Sequence, residues 1–396
     1  MNTMSLAVLV IASSLAMLFT SPASKTIETI TPIPHETDNA LWDDQAVNWL
    51  LEAQSPNGGW GAGSHSYQNV TDPHAVQTDP ATTAFAALAL LKSGGPLKTN
   101  PYQEEINKAL DRILKDIDAR PDNGRITSLT GTQPQVKLGI HIDASMALQF
   151  LTDIREQIND PIQEKKIDAA AEVCIQLIQG SQNTDGGWAG GGWAPVLQSA
   201  MANNALERAQ DRYEVDEKAI ENSRQYQADN ISETGVRSED AAGVPLYAAA
   251  SAQRATSAEA REMELLITPG QLAGYNSGKI KKDEIIKDLE TKGVNRDKAE
   301  RLTKSYAVNQ SSTKTLQSEE IWNGFGNNGG EEYLSYMMTS EAIAQQGKEE
   351  WLKWRQSIEP KFKQSQNPNG SWSGQHCITS PVFCTAAILQ AWHAGL

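Results

Sequence analysis

Three short stretches constrain this chain more than anything else in it: QSPNGGW at 54–60, QNTDGGW at 182–188 and QNPNGSW at 366–372. Each writes a glutamine, an Asn-Gly or Asp-Gly turn and a tryptophan in the same order. Asn-Gly and Asp-Gly supply the backbone freedom of a tight turn. The glutamine is placed to hydrogen-bond backbone groups left free at helix ends, and the indole to cover that network. The copies read as joints between helices rather than as sugar-binding aromatics.

The flanks agree. Upstream of the first copy Trp42, Ala46, Trp49, Leu50 and Ala53 fall at i, i+4, i+7, i+8 and i+11; Ile167, Ala170, Cys174, Ile175 and Ile178 repeat the stripe before the second. Trp351, Trp354, Ile358 and Phe362 keep it before the third, with Pro360 marking a local kink. One-faced helices belong on an outer surface. Downstream runs differ. DPATTAFAALALL (79–91) and SPVFCTAAILQAW (380–392) are apolar nearly all round, as are runs at 141–151, 197–209, 239–252 and 331–346. Such helices must be buried on every side, and small residues let neighbours approach closely. An open solenoid would need polar caps at both ends. Six buried runs alternating with outer ones therefore predict an all-α closed ring, an inner barrel inside an outer one.

The three copies, each followed by a small-residue helix, resemble the QW repeats of squalene–hopene cyclases and protein prenyltransferase β subunits. The resemblance implies an α/α-toroid of six inner and six outer helices over about 40–396, with a cavity at one end of the inner barrel. It implies little about activity, since one fold hosts many functions. Class II cyclases protonate an alkene with a DxDD motif leading into Thr-Ala; at 79–84 this chain has DPATTA, with Asp79 at the first aspartate and Ala81 and Thr82 where the acid and its partner belong. Prenyltransferases hold zinc with an Asp-x-Cys pair, and none occurs here. The Cys-Gly-Glu-Gln segment of complement-type thioesters is also missing.

The first 23 residues carry no charge and end in small residues, which reads as an export signal, with 24–39 as a linker. The expected location is periplasmic or extracellular, and no later run is long and apolar enough to span a bilayer. A net charge of −15 argues against nucleic acid and anionic lipid as partners. Cys174 and Cys384 sit in apolar helical patterns, and a Cys377–Cys384 bridge stays open. Residues 279–307 hold nine Lys/Arg against six Asp/Glu, so about 255–318 reads as a helical insertion and a surface for a protein partner.

In a toroid, polar residues at the starts of inner helices stand out. His141 and Asp143 lie at i and i+2 before the second such helix, and Asp79 and His74 precede the first. These give an acid–base pair with Asp79 as a further catalytic candidate. His74, Asp240, Glu331, Tyr333, His376 and Trp193, the last in the glycine-rich GGWAGGGWAP, are candidate ligand contacts. Helix capping is the structural reading for Asp79, Asp143 and Asp240. A His/Asp/Cys cluster across the barrel would suit zinc, although no metal site and no cofactor is assigned. The expected function is an exported toroid binding an apolar or isoprenoid-like ligand. A glycan-active toroid and a non-enzymatic scaffold are the alternatives.

Overall fold

The computed structural model describes residues 40–188, 191–232, 235–236, 245–322 and 329–395. The expected signal and linker, and Asp240, lie outside them. Apart from a pairing of two-residue strands, β1 (Ile231–Ser232) and β2 (Gly235–Val236), the ordered elements are helices. In chain order they are α1 (Ala40–Glu52), α2 (Pro80–Gly94), α3 (Gln103–Asp118), α4 (Gln133–Leu138), α5 (Ile142–Arg155), α6 (Pro161–Gly180), α7 (Pro195–Ala209) and α8 (Glu217–Asp229). Then follow α9 (Pro245–Leu266), α10 (Pro269–Asn276), α11 (Lys282–Thr291), α12 (Arg296–Leu316), α13 (Glu319–Trp322), α14 (Gly330–Gln346), α15 (Lys348–Ser365) and α16 (Pro381–Trp392).

The runs without a polar face became α2, α5, α7, α9, α14 and α16. Each packs against the next, and α16 returns to α2, so the inner ring is closed. Along α2 every residue from Pro80 to Leu91 is buried, and along α16 every residue from Pro381 to Trp392. The amphipathic helices lie outside: α1 against α16 and α2, α3 against α2, α6 against α5, α8 between α7 and α9, α12 along α9, and α15 on α14. In α3 the buried set Ile106, Ala109, Leu110, Ile113 and Ile117 is the single stripe a helix needs to sit on a core. The outer helix α15 continues through Pro360.

The joints show how the ring is held. Gln54 Nε2 donates to Gly58 O at 2.9 Å and to Glu105 O, in the first turn of α3, at 3.0 Å. Gln182 donates to Gly186 O at 2.9 Å and to Ala219 O, at the start of α8, at 2.8 Å. Gln366 donates to Gly370 O at 2.8 Å and to Trp42 O, in α1, at 2.9 Å. Each glutamine thus ties its own turn to the next outer helix round the ring, and the third, after α15, reaches α1. The indoles of Trp60, Trp188 and Trp372 donate to Leu50 O, Ile178 O and Phe362 O at 2.9, 2.9 and 3.0 Å. At the seam the Trp42 and Trp392 rings meet with centroids 4.7 Å apart, and His393 Nε2 lies 3.2 Å from Asp43 Oδ1.

Gly58, Gly186 and Gly370 have φ of +83°, +88° and +91°, and a Cβ on each would come within 3.0 Å of a carbonyl oxygen of α3, α8 or α1. Gly370→Ala is therefore expected to cost about 2 kcal/mol or more, the left-handed backbone plus the collision. Gly293→Ala, just past the end of α11 with φ +86° and open space around its Cβ, pays only the backbone share, about 1 kcal/mol. Urea midpoints of the two variants compare them directly; equal losses would mean the close approach at the seam is not felt.

The stretch 255–318 divides differently from the expectation. The ring helix α9 runs on to Leu266, and α12 returns along it as that helix's outer partner. Only α10 and α11 are added between them. Met263, Ile267, Ile285, Ile286, Leu289, Leu302 and Tyr306 form a second small core there. Charge rises sharply after residue 255, but the apolar period continues through Ala260 and Met263, and burial follows the period. All three cysteines are free. Among the described residues no helix is long and apolar enough to cross a membrane.

Candidate functional site

Helix starts meet helix starts, and late turns meet late turns, so the inner helices run parallel and the ring has two unlike ends. At the starting end Gln133 Oε1 of α4 accepts from Thr379 N at 2.7 Å and Ser380 N at 3.0 Å, just before α16. Glu331 Oε2 of α14 accepts from Ile378 N at 3.3 Å. The Tyr247 hydroxyl of α9 donates to Glu332 Oε1 at 3.2 Å.

On one side of this end sit the two aspartates. Asp79 is buried, and its Oδ1 accepts from Thr82 N at 2.8 Å while Oδ2 accepts from the Thr82 hydroxyl and Ala62 N, both at 2.9 Å. That is a complete cap on α2, and it outweighs a direct reactive role for this carboxylate. Asp143, also buried, stands against the first turn of α2. Its Oδ2 accepts from Gln135 Nε2 at 2.8 Å and lies 3.9 Å from Arg125 Nη2, whereas Oδ1 makes no hydrogen bond. Burial, then the charge of Asp79, raises its pKa from 3.8 to about 7 against the opposing pull of Gln135, Arg125 and the Ala81 N–H of α2. His141, half-buried at the N-cap of α5, has its pKa lowered by burial and by Arg125, so neutral imidazole is favoured beside the acid.

On the other side are Glu331 and Glu332, both buried. Burial, helped by the charge of Glu332, lifts Glu331 to about 7. Burial raises Glu332 as well, although it accepts from Gly329 N at 2.7 Å and lies 3.7 Å from His376 Nε2. Burial, then the neighbouring carboxylates, raises the Tyr247 phenol. Lys137, 5% exposed, belongs to this second side: its charge acts on Glu331, and its Nζ lies 4.3 Å from the Trp193 ring centroid.

Asp79 thus acts on Asp143, and Arg125 acts on both Asp143 and His141; on the other side His376 faces Glu332, next to Glu331. Tyr333 is a buried ring on α14. His74 is exposed in a single 3-10 turn, and Trp193 is 71% exposed. Among the described residues no three His, Cys, Asp or Glu side chains converge as metal ligands. Sequence reasoning missed Arg125, Gln135, Lys137, Glu332 and Tyr247. A lysine inside the apolar run VKLGIHIDASMA was the one available signal.

The opposite end is also absent from the sequence reading. Three turns into the ring Glu341 of α14 accepts from Lys92 at 3.2 Å, Arg208 at 2.7 Å, Arg254 at 3.3 Å and Asn204 at 2.9 Å. Arg208 also pairs with Asp153 at 2.7 Å and Arg254 with Glu207 at 3.1 Å. This buried knot joins α2, α5, α7, α9 and α14. Burial alone would raise the Glu341 pKa, but Lys92, Arg208 and Arg254 more than offset it and hold it well below the usual range.

Residues 23–116 match the family model of the squalene-hopene cyclase C-terminal domain. The match supports the terpenoid cyclase and prenyltransferase toroid superfamily. It spans α1 to α3, and so contains the first joint and the Asp79 cap. Among solved structures the chain is similar to a type II terpene cyclase from Scytonema in complex with geranylgeranyl dihydroxybenzoate. Identity is 12% over 89% of this chain and 96% of that one, with a TM-score of 0.33. No curated protein matches the chain.

Proposed function

We propose that this toroid is an exported protein that binds an apolar or isoprenoid-like ligand inside the ring, entering at the end that carries the inner-helix starts. The observation that carries the reading is Asp143: a carboxyl buried at the starting end of the ring, its pKa raised to about 7 by burial and by Asp79, with Oδ1 outside hydrogen-bond geometry to any neighbour. The charged knot around Glu341 occupies the other end with side chains, which leaves the Asp143 end for entry. In this reading Asp143 presents a proton to the ligand, His141 beside it accepts one, and Asp79 acts through its charge on Asp143. Ala81 and Thr82 occupy the positions where the superfamily's DxDD acid and its partner belong, so alkene protonation by that motif is not part of the proposal.

The glycan-active alternative loses its main support. Trp42, Trp60, Trp188, Trp322, Trp351, Trp372 and Trp392 are buried in the protein and offer no face to a sugar. Trp193 alone among the ten tryptophans is strongly exposed within the described residues.

The test is titration of the protein with geranylgeraniol, read by intrinsic tryptophan fluorescence. Saturable binding is expected, with Asp143→Asn and His141→Ala each weakening it about tenfold, the size of one lost polar contact. Unchanged binding in both variants, with melting temperatures preserved, would remove these residues from the site. No saturable binding at all would end the ligand reading.

A further inference from the structure

The outer face of the ring holds a cavity that neither end accounts for. Between the outer helices α12 and α15, with α9 and α14 beneath, lies a recess of about 310 Å³. Helical spacing turns one stripe of each helix into it. On α14 the stripe is Thr339, Ile343 and Gln346, at i, i+4 and i+7; on α15 Glu350 and Trp354 stand one turn apart. Two of the groups on its wall are buried and unsatisfied. Gln253 of α9 and Thr339 are each 1% exposed. Gln253 Nε2 donates to Thr313 Oγ1, also on the wall, at 3.0 Å, but Gln253 Oε1 and Thr339 Oγ1 have no partner among the described residues. A buried polar group left without its bond costs about 1–3 kcal/mol. Two of them on one recess point to a group that arrives from outside.

The chemistry of that group follows from the lining. Gln253 Oε1 can only accept, so the visitor carries an O–H or N–H; the Thr339 hydroxyl takes either role. Gln317 and Gln346, more exposed, add two further amides. Water would supply hydrogen bonds but gains nothing from the apolar surface of Leu316, Ile343 and Trp354. Trp354 is half-buried and fixed in place: Nε1 donates to Ser340 Oγ at 2.8 Å, and its ring centroid lies 5.6 Å from that of Trp322 and 6.4 Å from that of Tyr336. Charge is not what the recess reads, because the two ionisable side chains that line it, Glu350 and Lys353, pair with each other at 3.2 Å. A neutral molecule with hydroxyls along its edge and a C–H face that lies flat on an indole meets all of these demands, and a pyranose ring is such a molecule.

We propose that this recess binds a neutral pyranose sugar, with Trp354 stacked on its C–H face and Gln253 and Thr339 bonded to its hydroxyls. The site binds and does not cleave. Glu350 is the single carboxylate among the residues that line it, and glycoside hydrolysis takes two. It lies on the outside of the ring, so it is independent of the ligand proposed within, and failure of either leaves the other standing.

The experiment is saturation-transfer difference NMR on the full chain with the methyl pyranosides of glucose, galactose and mannose. N-methylacetamide and cyclohexanol serve as an amide and an apolar alcohol for comparison. At least one glycoside is expected to saturate in the millimolar range, with transfer strongest at its ring C–H protons. Thr339→Val weakens that binding about five-fold, the size of one neutral hydrogen bond, and leaves the melting temperature unchanged or higher, since the hydroxyl bonds nothing in the free protein. Trp354→Ala removes detectable binding, and Trp354→Phe, which keeps a ring, restores part of it. No saturable binding by any of the three glycosides overturns the site, as does wild-type affinity in both Thr339→Val and Trp354→Ala. An equal response to N-methylacetamide or cyclohexanol overturns the sugar assignment. A lowered melting temperature in Thr339→Val would show that its hydroxyl is spent on the fold, and overturns its role in binding.

Discussion

Glu341→Ala is expected to lower folding stability by about 3–5 kcal/mol, the cost of breaking a buried ion pair by removing one partner. The variant leaves Lys92, Arg208 and Arg254 facing one another in a dry space, with Arg208 and Arg254 each keeping one carboxylate and Lys92 none of its own. Glu341→Gln keeps the shape and loses the charge, so it should recover only part of the deficit. Glu349→Ala, at an exposed pair with Lys353, is the control and should change stability by less than about 1 kcal/mol. Urea unfolding followed by circular dichroism measures all three. A loss at Glu341 no larger than at Glu349 would mean the knot is solvated in solution and does not hold the ring.

Stability is also expected to fall as pH rises from about 4 to about 8. A carboxyl whose folded pKa is raised binds its proton more tightly when folded. Its contribution is therefore fully present below the unfolded value and is lost as pH climbs through the folded one. Asp143 moves from 3.8 to about 7 and Glu331 from 4.5 to about 7. At ~1.4 kcal/mol per pKa unit this is roughly 4.5 kcal/mol of pH-dependent loss for Asp143 and roughly 3.5 for Glu331, upper bounds because ionisation draws in water and counter-ions. The window opens near the ordinary carboxyl range and closes just above 7. Glu341 is shifted the other way, and its contribution disappears only as pH falls below the usual glutamate range, outside this window. Asp143→Asn and Glu331→Gln should each flatten the slope measured between pH 5 and pH 8. A wild-type curve flat across that interval would show that neither carboxyl is protonated in the folded protein.

The ring was legible in the sequence because its determinants are local. A glutamine, a turn and a tryptophan within seven residues specify each joint, and a helix lacking a polar face announces burial wherever it packs. The site was legible only in part, since its chemistry is assembled across the ring. His141 and Asp143 stand together in the chain and could be found by spacing. Lys92 and Glu341 are 249 residues apart, and each reads as an ordinary charge in a late helical turn. Lys137 and Glu331 likewise converge from distant segments. Asp79 was offered both as a catalytic candidate and as a cap, and the cap on α2 is the part its hydrogen bonds show, at a helix start followed by Pro-Ala-Thr-Thr. Trp193 and His74 are largely exposed, which their closeness to a helix start in sequence did not reveal.

The bond from Gln366 to the carbonyl of Trp42 fixes an order of events during synthesis. The other two glutamines reach forward to helices that follow them within a few dozen residues, so those joints can form as the chain emerges. The last must reach back across 324 positions. Helix α1 is thus made early and finds its final partner only once Gln366 has left the ribosome. Until then the Trp42 ring lacks its cover of Phe362, Trp372 and Trp392. Such long-range closure is slow, and a greasy edge left waiting that long is where a binding chaperone would be needed most.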